Sequence, residues 1–320
     1  MKQNLDAPAT LLEAMQFFAD PDFALDFFVQ LRWPNGVHCP ACDATEVSFI
    51  KTRRIWQCLD CGRQFSAKLG TIFEDSALGL DKWLPALWML ANCKNGISSY
   101  ELARALHVTQ KTAWFMLHRV RDAMRPAHLR RLRGEVEADE GYIGGQAFWM
   151  HKAEKKRRIT KRGWSEKTPV VGFAKRGKNG RSRISAKVLS KVNRAKIEAT
   201  VKAHVAAGST LYTDDASYYD RMGKTFKHRR VNHALKTFVQ GKAHTNTLEN
   251  FWSLLKRAIK GTYISVDPFH LQRYVDEQAF RYNTRKDNDG GRFASALRSI
   301  VGKRLTYHDL IGAKFSFATT

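Results

Sequence analysis

Two cysteine pairs, Cys39-Pro40-Ala41-Cys42 and Cys58-Leu59-Asp60-Cys61, stand fifteen residues apart. No other feature of the chain restricts its folding so tightly. Two CxxC knuckles at this spacing bring four thiolates to one tetrahedral zinc ion. Gly62 suits the turn that closes the second knuckle. Residues 47–51 and 55–57 read as short strands between the pairs, so the expected form is a zinc ribbon. Two disulfides are the alternative pairing, and a reducing compartment argues against them. The bound metal would supply folding energy that so small a core lacks, and four thiolates leave it no open position for chemistry. Cys93 stands alone in an apolar helix, where packing explains it.

The chain has 320 residues, room for two or three domains. Lys and Arg number 54 against 30 Asp and Glu, a formal charge of +24, which points to nucleic acid or an anionic surface as partner. No apolar run reaches the length of a membrane span. Met1-Lys2-Gln3-Asn4 opens without a signal-peptide core, so a cytoplasmic, nucleoid-associated protein is expected.

Residues 10–32 carry helical patterning, interrupted at Asp20-Pro21, and Trp33-Pro34-Asn35-Gly36 is a turn signal. Residues 81–125 are helical again. Asp81 is placed to cap a helix with Trp83, Leu84, Leu87, Trp88 and Leu90 inside, which Asn95-Gly96 ends. Ser98 and Ser99 start a short helix with Leu102, Ala103 and Leu106. After a turn at 107–109, Gln110 opens a third helix. This is the helix-turn-helix pattern, with Gln110, Lys111, Thr112 and Trp114 where base contacts usually lie. A plain helical linker bundle is the other reading. Beyond Arg133 the periodicity changes. Strands are expected near 135–144, 169–176, 181–190 and 210–214, and helices over 193–207, 246–260 and 267–283. Residues 147–168 are polar and basic and read as a long loop or hairpin insertion. The fold class is therefore multidomain α+β. Its expected parts are an N-terminal helical segment (1–33), a zinc ribbon (34–70), a helix-turn-helix-like domain (71–130), an α/β domain (131–290) and a C-terminal tail (291–320).

Three acidic patches interrupt this basic background. Around Asp139, alternation puts Val136 and Ala138 on one strand face and Glu135, Glu137 and Asp139 on the other. Leu211-Tyr212-Thr213-Asp214 is a short strand with an acid at its carboxyl end, where sheet-borne sites lie, and Asp215 is placed to cap a following helix. In the third patch, Leu248, Trp252, Leu255 and Ile259 form the apolar stripe of a helix. Glu249, Ser253, Lys256 and Lys260 form a second stripe. An acid and a cation then point the same way, two turns apart. Carboxylates grouped on a polycation suit metal-assisted chemistry on phosphodiesters.

These segments together resemble bacterial insertion-sequence transposases of the DDE class, in the zinc-ribbon group called ISXO-two-like. The resemblance is carried by CPAC…CLDCG, ADEGYIGG, YTDDASYY, HTNTLENFWSLLKRAIKGTY and FHLQRYVDEQAFRYNTR, and covers nearly the whole chain. It implies a ribonuclease-H-like catalytic domain. The family's first acid falls on Asp139, its second on Asp214 and its third on Glu249, with Lys256 matching the basic residue seven places on. Related groups use Asn in the third role, which keeps Asn246 a candidate beside Glu249. Many relatives carry Gly at the position of Asn250.

The resemblance also implies a mechanism. Two Mg²⁺ (or Mn²⁺) ions about 3.5–4 Å apart would be held by Asp139, Asp214 and Glu249, and Lys256 would position phosphate. Element ends would be nicked by water, and the freed 3′-hydroxyl would attack target DNA. The partners implied are double-stranded DNA, at terminal repeats and target, and a second copy of the chain in a dimer or higher oligomer. Residues 151–187 hold 14 Lys and Arg against Glu154 and Glu166, a surface for DNA backbone with Trp164 available for stacking. Competing readings are a zinc-ribbon and helix-turn-helix regulator without catalysis, a nuclease or resolvase on the same fold, and a decayed transposase that only binds its ends.

Overall fold

The computed structural model of the chain describes residues 8–126, 131–144, 167–177, 180–230 and 244–312. It divides into two compact units, Met1–Met124 with Asp287–Thr320, and Arg125–Lys286. Most of the basic insertion at 147–168, Trp164 included, lies outside the described residues. No helix among the described residues is long and apolar enough to cross a membrane.

The first unit opens with α1 (Leu11–Phe17) and α2 (Pro21–Arg32). Asp20 separates them by capping α2: its carboxylate accepts from the amides of Asp22 and Phe23, and Pro21 sits at the first helical position, where no amide is needed. The ribbon follows as an antiparallel sheet of β1 (Val47–Ile50), β2 (Ile55–Cys58) and β3 (Gln64–Phe65). Helix α3 (Leu80–Asn92) is buried nearly all round. Asp81 does not cap it; Gly79 holds the cap position without a side-chain bond, and Asp81 lies inside the first turn. Helix α4 (Ser99–Leu106) starts with a Ser98–Glu101 capping box, and left-handed His107 ends it. Helix α5 (Gln110–Met124) completes a helix-turn-helix-like pair. The segment expected as a C-terminal tail instead contributes α9 (Asp289–Leu297) and α10 (Tyr307–Ile311) to this unit. Phe293 of α9 meets Phe18 at 5.6 Å between ring centres, and both are fully buried.

The second unit is a five-stranded sheet in the order β6-β5-β4-β7-β8. Its strands are β4 (Glu135–Ile143), β5 (Thr168–Lys175), β6 (Arg183–Val188), β7 (Thr210–Thr213) and β8 (Lys227–Arg230). β4, β5 and β6 form an antiparallel meander, and β7 and β8 continue it parallel to β4. This is the ribonuclease-H-like arrangement. Helices α7 (Asn246–Ala258) and α8 (Leu271–Asn283) bury one sheet face. Helix α6 (Arg194–His204) buries the other through Ile197 and Val201 against Val136, Ala138 and Phe173. β4 is thus a central strand covered on both sides, not the half-buried strand that its alternation suggests. β8 was not anticipated, because Lys227-His228-Arg229-Arg230 offers no apolar alternation. Amide side chains of α8 close the β6 edge: Asn283 pairs with both backbone groups of Ile184, and Gln272 accepts from the Val188 amide.

Candidate active site

Asp139 lies in the middle of β4, on the face that α7 covers. Trp252 of α7 donates its indole N–H to Asp139 Oδ2 at 2.9 Å. The indole reaches that far because two glycines floor its slot. A Cβ on Gly141 would stand 2.7 Å from Trp252 Cδ2, and one on Gly172, the residue paired with Asp139 across the sheet, 2.7 Å from Trp252 Cζ2. Glycine inside a strand often marks such an approach.

Asp214 follows the last residue of β7, and its Oδ1 accepts from the Ala216 amide at 3.2 Å. Asp214, rather than Asp215, thus accepts from the backbone that leads into the next segment. Asp215 caps no helix; it is exposed and pairs with Arg230 at 3.6 Å. The turn leads into a short 3₁₀ segment, Ser217–Tyr219. From it the hydroxyls of Tyr218, at 2.5 Å, and Tyr219 donate to the two oxygens of Glu140.

Ligand oxygens of Asp139, Glu140 and Asp214 all lie within 4.8 Å of one another. Burial pushes Asp139 up to about 6; the Trp252 and Glu140 N–H groups oppose that rise, and the charges of Asp214 and Glu249 add to it. Burial likewise pushes Glu140 up to about 7, against its two tyrosine donors, with the charges of Asp139 and Asp214 adding. Crowded, half-buried carboxylates that resist ionisation describe a site short of positive charge. Hard oxygen donors so grouped fit a divalent cation such as Mg²⁺ or Mn²⁺.

The expected stripes are both present and run from α7 into the π-helical turn Ile259–Tyr263 that follows it. Leu248, Trp252, Leu255 and Ile259 are buried, while Glu249, Ser253, Lys256 and Lys260 are exposed. Glu249 is one turn before Trp252 and acts on Asp139 through its charge, yet it lies outside the close carboxylate cluster. Glu140, which the sequence reading passed over, takes the third place in that cluster. Asn246 is exposed at the start of α7.

Glu137 has a different duty from the row of acids expected around it. It is fully buried. Its carboxylate accepts from the amides of Thr247 (3.0 Å) and Leu248 (3.3 Å) and the Thr247 hydroxyl (2.9 Å), and pairs with Arg176 at 2.8 Å. A negative charge at the first turn satisfies amides that the helix itself leaves free. The strand that carries Asp139 thereby fixes the start of the helix that carries Glu249.

In the ribbon, Cys39, Cys42, Cys58 and Cys61 also meet within 4.8 Å. The Cys39–Cys61 and Cys42–Cys58 sulfur distances are 3.7 and 3.6 Å. A tetrahedron with Zn–S bonds of ~2.3 Å has edges of about 3.8 Å, so the four thiols fit one zinc. Both knuckles turn alike: four residues after the first cysteine of each pair, Asp43 and Gly62 are left-handed, at φ 59° and 69°. Cys93 is half-buried at the end of α3. In the helix-turn-helix-like pair, Gln110 donates to Ser99 and the Lys111 ammonium lies over the Tyr307 ring.

A zinc ribbon and a sheet with clustered acids place the chain in the class of DDE-type transposases, on the following similarities. The family described as the ISXO2-like transposase domain matches residues 131–283, and the transposase zinc-ribbon domain matches residues 20–64. The chain is 32% identical over 248 residues to the uncharacterized protein in transposable element ISH50 of Halobacterium salinarum, spanning 73% of this chain and 81% of that relative. The chain belongs to the ISXO2-like transposase family.

Proposed function

We propose that the protein binds the terminal inverted repeats of an insertion sequence, nicks the element ends and joins the freed 3′-hydroxyl strands to target DNA. One observation carries the reading: Asp139 and Asp214, distant in sequence, meet at the carboxyl end of β7 beside α7. Divalent cations bound there, Mg²⁺ or Mn²⁺, would supply nucleophile activation and stabilisation of the leaving oxygen. Asp139 and Asp214 are the primary ligands. Trp252 orients the Asp139 carboxylate by donating to its Oδ2. Glu249 or Asn246 completes the ligand set from α7. Lys256, exposed on the Glu249 stripe, holds a DNA phosphate. No side-chain nucleophile is required, since water or the DNA 3′-hydroxyl attacks directly. Pairing two element ends calls for at least two copies of the chain.

The test is a strand-transfer assay with Mg²⁺ and the flanking terminal repeats as donor. Joined products that vanish with Asp214→Ala support a transposase, and Glu249→Ala beside Asn246→Ala identifies the third ligand. Cutting without joining would favour a nuclease. Binding without either would favour a regulator or a decayed element.

A further inference from the structure

We infer that β8 is a contact surface for the sugar–phosphate backbone of DNA held at the acidic site. The inference rests on the function proposed above and adds a surface to it. β8 reads Lys227-His228-Arg229-Arg230, and its register divides the four side chains between two tasks. Lys227 pairs with Thr210 and Arg229 with Tyr212, while Tyr212 pairs with Glu137 of β4. Alternation therefore places Lys227 and Arg229 on the sheet face that carries Glu137 and Asp139. His228 and Arg230 take the opposite face. There His228 Nε2 lies 2.9 Å from the Thr213 hydroxyl, and Arg230 is occupied by Asp215 and Asp220.

Lys227 and Arg229 are exposed, and neither has an ion-pair partner among the described residues. Exposed Arg221 and Lys224 precede them in the chain. Because β8 runs parallel to β7, it ends at the same side of the sheet as the acids; Arg230 stands opposite Thr213, the residue before Asp214. Two strand spacings, about 10 Å, separate β8 from the strand of Asp139. A phosphodiester at the acids thus brings neighbouring phosphates within reach of these cations.

Edge strands also carry charge simply to block pairing with other chains. That duty is met by a charge of either sign, whereas phosphate contact requires a positive one.

The experiment measures duplex affinity of the full-length protein between 50 and 200 mM NaCl. It compares wild type, Lys227→Gln/Arg229→Gln and Lys227→Arg/Arg229→Lys, on terminal-repeat and unrelated duplexes. Loss of two phosphate contacts lowers the slope of log K against log salt by about 1.8, equally on both duplexes, while the charge-retaining pair keeps the wild-type slope. Mn²⁺ affinity stays unchanged in all three. Should the double Gln variant fail to fold, each single Gln variant is expected to lower the slope by about 0.9. An unchanged slope in folded Gln variants overturns the inference, even where wild type joins DNA. Wild type that binds duplex but never joins it overturns the transposase reading, while the slope still reports on β8.

Discussion

The indole N–H of Trp252 is hydrogen-bonded to Asp139 Oδ2 at 2.9 Å, across a slot whose floor is Gly141 and Gly172. This bond ties α7 to the first acid, and the glycines set how closely the helix stands to the sheet. Trp252→Phe should fold, since its ring fits the slot, but lose a hydrogen bond to a charged group, about 1.5–3 kcal/mol. Gly172→Ala should lift the helix and cost about 1–3 kcal/mol through overpacking. Denaturant unfolding gives those costs. Joining should fall further than the lost folded fraction accounts for; a fall that tracks stability alone would reduce Trp252 to core packing.

Glu137 and Arg176 form a pair that the helix start completes. Glu137→Ala would strip Thr247 and Leu248 of their acceptor and leave Arg176 largely buried without its carboxylate. A loss of about 3–5 kcal/mol is expected. Thr247→Ala removes one neutral donor and should cost about 1 kcal/mol. Equal, small losses in both variants would mean that α7 does not depend on this latch.

The acids also predict how pH and metal act together. Their folded values, about 6 for Asp139 and about 7 for Glu140, lie above the ordinary 3.8 and 4.5. The folded, metal-free protein therefore binds more protons than the unfolded chain between those limits. The stability these groups contribute is present below about pH 4 and is lost as pH rises towards 7. A divalent cation offsets that loss by binding the ionised forms. Mn²⁺ should raise Tm little at pH 5 and most at pH 8, measured by thermal melts with and without metal. An equal rise at both would mean that no cation binds beside Asp139 and Glu140.

The ribbon should contain one zinc per chain by elemental analysis. Structural zinc is worth about 10–16 kcal/mol of apparent binding energy in small domains. Chelation, or Cys58→Ser, should accordingly unfold the Trp33–Trp56–Phe65 aromatic cluster, seen as lost near-ultraviolet dichroism. Retention of that signal after complete removal of zinc would contradict a metal-dependent fold.

Particular residues show why the sequence was legible in some places only. The α7 stripes could be read because their spacing of three and four residues needs no knowledge of the partner surface. Trp252 was visible as a core residue, but its bond to Asp139 was not. Gly141 and Gly172, glycines inside strands with no turn to make, were the available signal. Glu140 was hidden by alternation, which sends it to the opposite face from Asp139. Tyr218 and Tyr219 hold it on that side, and the turn at Asp214 sets a carboxylate within reach of both acids. Helix α9 was missed, although Asn288 caps it and Phe293, Ala296 and Leu297 follow at helical spacing.

The zinc ribbon and the main strands and helices were legible in one dimension, and Asp139 and Asp214 stood out there as candidates. Cysteine spacing, periodicity and residue type are local properties, and local properties survive in one dimension. Which carboxylates meet, that Glu137 holds a helix rather than joining the cluster, and that a basic segment becomes β8 emerge from the fold alone. Those outcomes depend on strand order and register, which bring together residues that no local pattern connects.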